Sequence, residues 1–296
     1  MRRLIDLLGY DERDKLLIIH ADDIGMCHSV NEATFSSLSY EIVTCGSLMM
    51  PCPWVLEAID LAKEHDFDVG IHITLNSEWK YYKWPPVSPI NEVSTLVDKY
   101  GYLWRTVRET VSYAKPSEVE REIEAQIIKA VKAGIKPSHI DTHMGTVYAK
   151  GEFLFSYIKI ANKYRVPSMQ VRPSDKVVKI AESQGLPVKE IKDILSKSKG
   201  PKLDMIITGI PGTSLEEKKK MFRWLLRNLE EGTVTQIIVH LGMDTPELRA
   251  IMPHSYLSRV SEYKLVTDHE TRKLIEQEAI HLINWREIKY AILKQS

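Results

Sequence analysis

The sequence predicts an α/β fold, a single irregular TIM-like (β/α) barrel of about seven parallel strands with outer helices. Three observations carry that expectation. Short, near-continuous apolar runs recur along the chain, as strands covered on both faces require. Amphipathic helical patterns separate them, which makes parallel βαβ units the natural connection. The 296 residues show no composition break between halves, so the whole chain, 1–296, is expected to form one domain.

The first strand-like run, residues 16–21 (LLIIHA), follows a stretch with two arginines and a short apolar patch. Charges interrupt that patch and no small-residue cleavage site follows it, so it does not read as a secretion signal. Further strand-like runs fall at 42–49 (IVTCGSLM), 69–74 (VGIHIT), 139–142 (HIDT), 167–172 (PSMQVR), 203–208 (LDMIIT) and 236–241 (QIIVHL). Helical patterns lie at 31–40, 53–64, 116–133, 153–164, 215–229 and 269–283. The clearest is 116–133, opened by Ser117-Glu118 and closed by Gly134. Residues 77–105 break the rhythm with a long, proline-bearing, aromatic segment directly after a strand. It reads equally as a lid or substrate wall and as a packed surface loop.

Composition excludes several function classes. The chain is 44% apolar and 27% charged, and 40 basic residues balance 40 acidic ones, which argues against nucleic-acid or anionic-membrane partners. Lys218-Lys219-Lys220 follows Glu216-Glu217 and reads as a solvated helix face. Cys27, Cys45 and Cys52 are odd in number and form no C-x-x-C, so free thiols in a reducing, cytoplasmic setting are expected. The exposed aromatic insertion offers a surface for a homodimer. H-E-x-x-H, G-x-S-x-G and G-x-x-x-x-G-K-[ST] are all absent, and residues 209–214 read as a loop and N-cap rather than a phosphate cradle.

The chemistry-bearing residues share a position. Asp22-Asp23 ends the first run, His72 lies in the third, His139, Asp141 and His143 cluster at the fourth, Arg172 ends the fifth and His240 nears the end of the last. In parallel α/β proteins, the carboxyl ends of strands face the active site. Each residue alone has a plainer reading: an N-cap and turn for the acids, satisfied core positions for the histidines. Their coincidence favours a divalent cation with mixed nitrogen and oxygen ligands, because buried histidines and carboxylates all need partners; zinc, magnesium, manganese and iron all suit such a set, with magnesium or zinc expected first. Two histidines and a carboxylate would leave coordination open for water and a carbonyl, and an adjacent carboxylate could take a proton.

These residues resemble the YdjC family of carbohydrate deacetylases. A motif similar to N-A-D-D-F-G appears as His20-Ala21-Asp22-Asp23-Ile24-Gly25, continuing to Val30-Asn31-Glu32-Ala33. G-x-H-x-x-L-T is matched by Gly70 to Asn76, P-x-H-x-D-S-H by Pro137 to His143, and V-P-x-x-x-R by Val166 to Arg172. The strand ending in H-P-G is similar to Val239-His240-Leu241-Gly242, and R-x-x-E to Arg259 and Glu262. The resemblance implies a metal on Asp23, His72 and His143, with Asp22 as general base. It implies His240 near the leaving amine, and Arg172 orienting Asp22 or binding substrate. Arg259 and Glu262 would be a structural ion pair or support for the ligands.

The departures are His20 for the usual Asn, Met144 to Val147 in place of further histidines, and Leu241 for the proline. They spare the ligand positions and change those lining the pocket. Residues 244–249 (DTPELR) would then form either a different substrate edge or a helix cap with first-turn charges. The expected activity is removal of acetyl from a small N-acetylated carbohydrate, with Trp79, Tyr81, Tyr82, Trp84 and Trp104 either stacking on sugar or packing the loop. The alternatives are metal-dependent hydrolysis of another amide or a phosphoester, and non-catalytic carbohydrate binding.

Overall fold

Strand β1 (Lys15–Ile24) lies at the centre of a curled parallel sheet in the computed structural model, which describes residues 3–294. β2 (Cys45–Leu48), β3 (Val69–Ile73) and β4 (Ile140–Thr142) extend from one edge of it, and β6 (Thr233–Val239) and β5 (Met205–Ile207) from the other. A short β7 (Ile280–Leu282) pairs with the first residues of β1, and β2 takes over further along the strand. Helices surround the sheet, so the α/β character follows the alternation in the sequence.

Two expectations are corrected. Residues 167–172 form no strand. They make single bridges, Ser168 with Ile140 of β4 and Val171 with Leu203 just before β5. Pro167 and Pro173 bracket the run and cannot donate to a ladder. The ladders therefore describe a curled sheet rather than a complete TIM barrel. The helix expected over 269–283 stops at Gln277. Ala279 turns the chain with a left-handed φ of 51°, and the next three residues become β7.

Strand alternation sorts the side chains. Leu17, Ile19 and Ala21 of β1 join the large core beneath the helices. Leu16 and Ile18 point the other way and pack with Leu4, Ile5, Cys45, Val234, Trp285 and Ile288. This second cluster plugs the concave face near the strand starts. Beyond it the same face turns polar: His20 and Asp22 follow Ile18 on β1, Ser47 follows Cys45 on β2, and Gln236 follows Val234 on β6. All of these polar side chains are buried.

The insertion is packed rather than loose. The Trp84 indole is fully buried and donates to Asn76 O at 2.8 Å, and Trp104 donates to Thr95 O at 2.8 Å and stacks on Tyr113. Tyr81 alone of the five aromatics is fully exposed. Buried Glu122, on the helix Pro116–Lys132, accepts the backbone N–H groups of Val87 and Ser88 at 2.9 Å each and Gln126 Nε2 at 2.8 Å. The lysine run is also corrected: Lys218 is fully buried, donating to Ile210 O and Glu262 Oε1 at 2.7 Å each. The three cysteines are free and buried, and burial pushes their thiols up. Among the described residues, no helix is long and apolar enough to cross a membrane.

Glu122→Ala strands the two insertion N–H groups, whose desolvation dominates the loss. Urea denaturation is expected to show a drop of about 3 kcal/mol, with residues 77–105 becoming the first site of proteolysis.

Candidate metal centre

Adjacent residues of a regular strand face opposite sides, so Asp22 and Asp23 could not both reach one site from an unbroken β1. The strand resolves this with a bulge. Its register against β2 shifts between Ala21 and Ile24, and Asp23 takes a left-handed φ of 65°, a conformation that Asp tolerates better than most side chains. Asn31 fixes the turn that follows, accepting Gly25 N–H at 2.7 Å and donating to Trp54 O and Glu57. Gly25 has φ 91°, and a Cβ there would meet Val55 Cα at 2.9 Å, so a side chain is excluded on both counts.

The bulge aims Asp23 Oδ1 at two imidazoles, 3.3 Å from His72 Nε2 and 3.1 Å from His143 Nδ1. Each ring is oriented from behind. Asp141 Oδ1 and Ser47 Oγ hold His72 Nδ1 at 3.0 and 3.1 Å, and Glu78 Oε2 holds His143 Nε2 at 2.9 Å. With those nitrogens donating to carboxylates, His72 Nε2 and His143 Nδ1 face Asp23, and each would offer a cation a lone pair once its ring gives up a proton. Asp23 Oδ1 is buried and has no partner in hydrogen-bonding geometry.

The two facing nitrogens lie 3.3 Å apart. Imidazoles sharing one tetrahedral cation at the usual bond length stand about 3.3 Å apart. The donor set, its spacing and the orphaned carboxylate oxygen all fit a divalent cation, and the three residues form a group that could hold one. Asp22 stands beside it. Its Oδ1 is held by His20 Nδ1 at 2.7 Å, and its Oδ2 lies 3.7 Å from His72 Nε2 and 4.0 Å from His240 Nε2.

The electrostatics follow from burial. Desolvation alone would raise the Asp23 carboxyl, but the Arg259 guanidinium, with His143 and His72, holds it well below the usual carboxylate range. Arg259 Nη2 donates directly to Asp23 Oδ2. Burial opposes the charge on His72, and Asp141 and Asp22 outweigh it and carry that ring well above its ordinary value. His143 behaves alike, raised to about 9 by Glu78 and Asp23 against its burial.

The match to known proteins extends beyond these residues. The YdjC-like protein family profile covers residues 16–277. The chain belongs to the YdjC-like family. A protein of Thermus thermophilus named carbohydrate deacetylase is 29% identical over 98% of this chain and 99% of its own length. Another of that name, from Thermoanaerobacter pseudethanolicus, is 30% identical over 95% of this chain and 100% of its own. A crystal structure from Enterococcus faecalis, described as a candidate cellobiose-phosphate cleavage protein, superposes with a TM-score of 0.77 at 25% identity, covering 93% of this chain and 99% of that one.

In this YdjC-like chain the fold brings together Asp22, Asp23, His72, His143 and His240. Arg172 stands apart: it pairs with Asp204 at 3.0 Å, and no ion pair joins it to Asp22. Arg259 and Glu262 do not pair with each other. One helix, Tyr256–Val266, instead sends Arg259 to Asp23 and Glu262 to the backbone N–H of His240, at 2.5 Å. Residues 244–249 form a capped helix start, with Thr245 accepting Leu248 N–H, Asp244 paired to Arg249 and Glu247 holding Ser29. Glu78, the acid that orients His143, is a site residue that sequence reasoning missed. Its one signal is an acid just beyond β3, at the start of the insertion.

Asp141→Asn leaves His72 without its charged acceptor, and calorimetric titration with zinc is expected to show affinity about 10–100-fold weaker, the fold remaining intact by circular dichroism. Protonation gives a second expectation. Without a cation His143 holds its proton up to about 9, so binding at neutral pH must expel it. Calorimetry in buffers of different ionisation enthalpy should register at least one released proton per chain, with affinity rising as pH approaches 9. By the same shift, the stability His143 lends the metal-free protein is complete below pH 6.5 and is lost as pH rises through about 9.

Proposed function

We propose that this protein is a metal-dependent hydrolase that removes the acetyl group from a small N-acetylated carbohydrate. The observation that carries the reading is the convergence of two imidazole nitrogens on the orphaned Asp23 oxygen, with Asp22 Oδ2 alongside. The full-length likeness to proteins named carbohydrate deacetylase supports the substrate class.

Asp23, His72 and His143 would hold the cation; such a set suits zinc, magnesium, manganese or iron, and magnesium or zinc is the expected ion. When bound, it supplies Lewis acidity that polarises the acetamide carbonyl and makes water a better nucleophile. The protein's own groups do the rest. Asp22, kept in place through Oδ1, offers Oδ2 to take the proton from an attacking water. His240, about a third exposed and within 4.0 Å of that oxygen, returns a proton to the departing nitrogen. The carbonyl carbon gains an oxygen, the C–N bond breaks, and acetate and the sugar amine leave. Glu262 fixes the His240 backbone for this role. Arg172, away from Asp22 and 41% exposed on its side chain, is better placed to meet substrate than to orient the base.

A phosphoester substrate fits less well. The arginine nearest the candidate ligands, Arg259, is committed to Asp23, which removes it as a partner for phosphate.

The test is acetate release from diacetylchitobiose. Turnover should vanish with a chelator, return with added zinc or magnesium, and fall by about 100-fold or more in Asp22→Asn with the metal retained. Turnover indifferent to chelation would overturn the metal-dependent reading.

A further inference from the structure

Behind Asp22 lies a buried row of polar groups that the proposed chemistry does not use. His20 Nδ1 meets Asp22 Oδ1 at 2.7 Å, His20 Nε2 meets His139 Nε2 at 2.7 Å, and His139 Nδ1 meets Ser138 Oγ at 2.8 Å. His20 and His139 are wholly inaccessible and Ser138 nearly so. The surroundings are shaped to hold the second ring. Trp285 stacks on His139 with centroids 4.8 Å apart and planes within 17°, and a Cβ on Gly70 would strike that ring at 2.5 Å.

We propose that His20, locked by His139, is the positioning residue of Asp22, the part that sequence resemblance gave to Arg172. The inference rests on Asp22 being the base. With Asp22 ionised, as a base must be, one arrangement of protons satisfies every atom with neutral rings. Ser138 donates to His139 Nδ1, His139 Nε2–H donates to His20 Nε2, and His20 Nδ1–H donates to Asp22. The row then has a direction, and it ends on Asp22 Oδ1. Asp22 is thereby fixed through Oδ1 and free at Oδ2, the oxygen nearest His72 and His240. Burial, with His20 beside it, pushes His139 down and keeps it neutral as the row requires.

His20, His139 and Asp141 also lie close enough together to hold an ion. The 2.7 Å between the two Nε2 atoms decides against it. Imidazoles sharing a cation stand about 3.3 Å apart, whereas a hydrogen bond spans about 2.7–3.2 Å.

Two measurements test the inference. Two-bond proton–nitrogen NMR on the histidine-labelled, zinc-loaded protein should find His20 protonated at Nδ1 only and His139 at Nε2 only. Reversed tautomers, a doubly protonated ring, or two zinc ions per chain would overturn it. For the second, the amide nitrogen of Asn overlies Nδ1 of His, while that of Gln overlies Nε2. His20→Asn keeps the donor to Asp22 and should keep kcat within about threefold, whereas His20→Gln abandons Asp22 and should lose about 10–100-fold in kcat with KM nearly unchanged and one zinc still bound. Equal losses in the two variants would sink the proposal. The spectra stand apart from the reaction: if the wild-type protein deacetylates nothing, the reading of Asp22 fails while the tautomers still decide whether His20 anchors it.

Discussion

A carboxylate buried at the end of a central strand has to be neutralised, and at Asp23 that requirement organises much of the molecule. Desolvating one charge without compensation costs several kcal/mol, more than a small fold can absorb casually. One oxygen is answered by Arg259, and the other is left facing two imidazoles. Those imidazoles are fixed by two further carboxylates, Asp141 and Glu78, so each positive or protonatable group is matched to a negative one. A fully matched set would need nothing more. Here one Asp23 oxygen and two imidazole nitrogens converge, an arrangement in which a divalent cation could replace the ring protons.

The curled sheet makes this matching possible by collecting alternate residues of several strands on one concave face. Apolar side chains close its lower part and polar ones occupy the part above. The depth of the polar layer matters. Groups close to solvent, such as His240, can exchange with substrate, whereas His20 and His139 lie below them and can only hold or orient. The bulge at Asp23 lets neighbouring residues serve in two different ways, one aimed at the ligand cluster and one lying beside it.

Much of this was legible in the sequence because strand ends are visible as the limits of apolar runs. Asp22, Asp23, His72, His143 and His240 stood at such limits, and the fold gathers them. The illegible parts depend on partners distant in sequence. Nothing local marks Arg259 as the partner of a residue 236 positions away, and nothing marks Lys218 as buried within a run of lysines that otherwise looks solvent-facing. Both follow from how the helix Tyr256–Val266 packs. Residues 167–172 carried a strand-like pattern, but pattern does not reveal whether a neighbour is available for a ladder. β7 was hidden because three residues after a helix carry too little periodicity to separate from it.

The span between Asp23 and Arg259 also sets an order of events during synthesis. The strand that carries Asp23 emerges early, and its counter-charge emerges only after most of the chain has been made. Until then, closing the sheet over Asp23 would trap an unanswered negative charge. The end of the molecule that carries Asp23 is therefore the part that stays open longest on the ribosome, and a chain truncated before the helix Tyr256–Val266 would keep β1 to β6 yet lack β7, part of the core and the means to finish its candidate site.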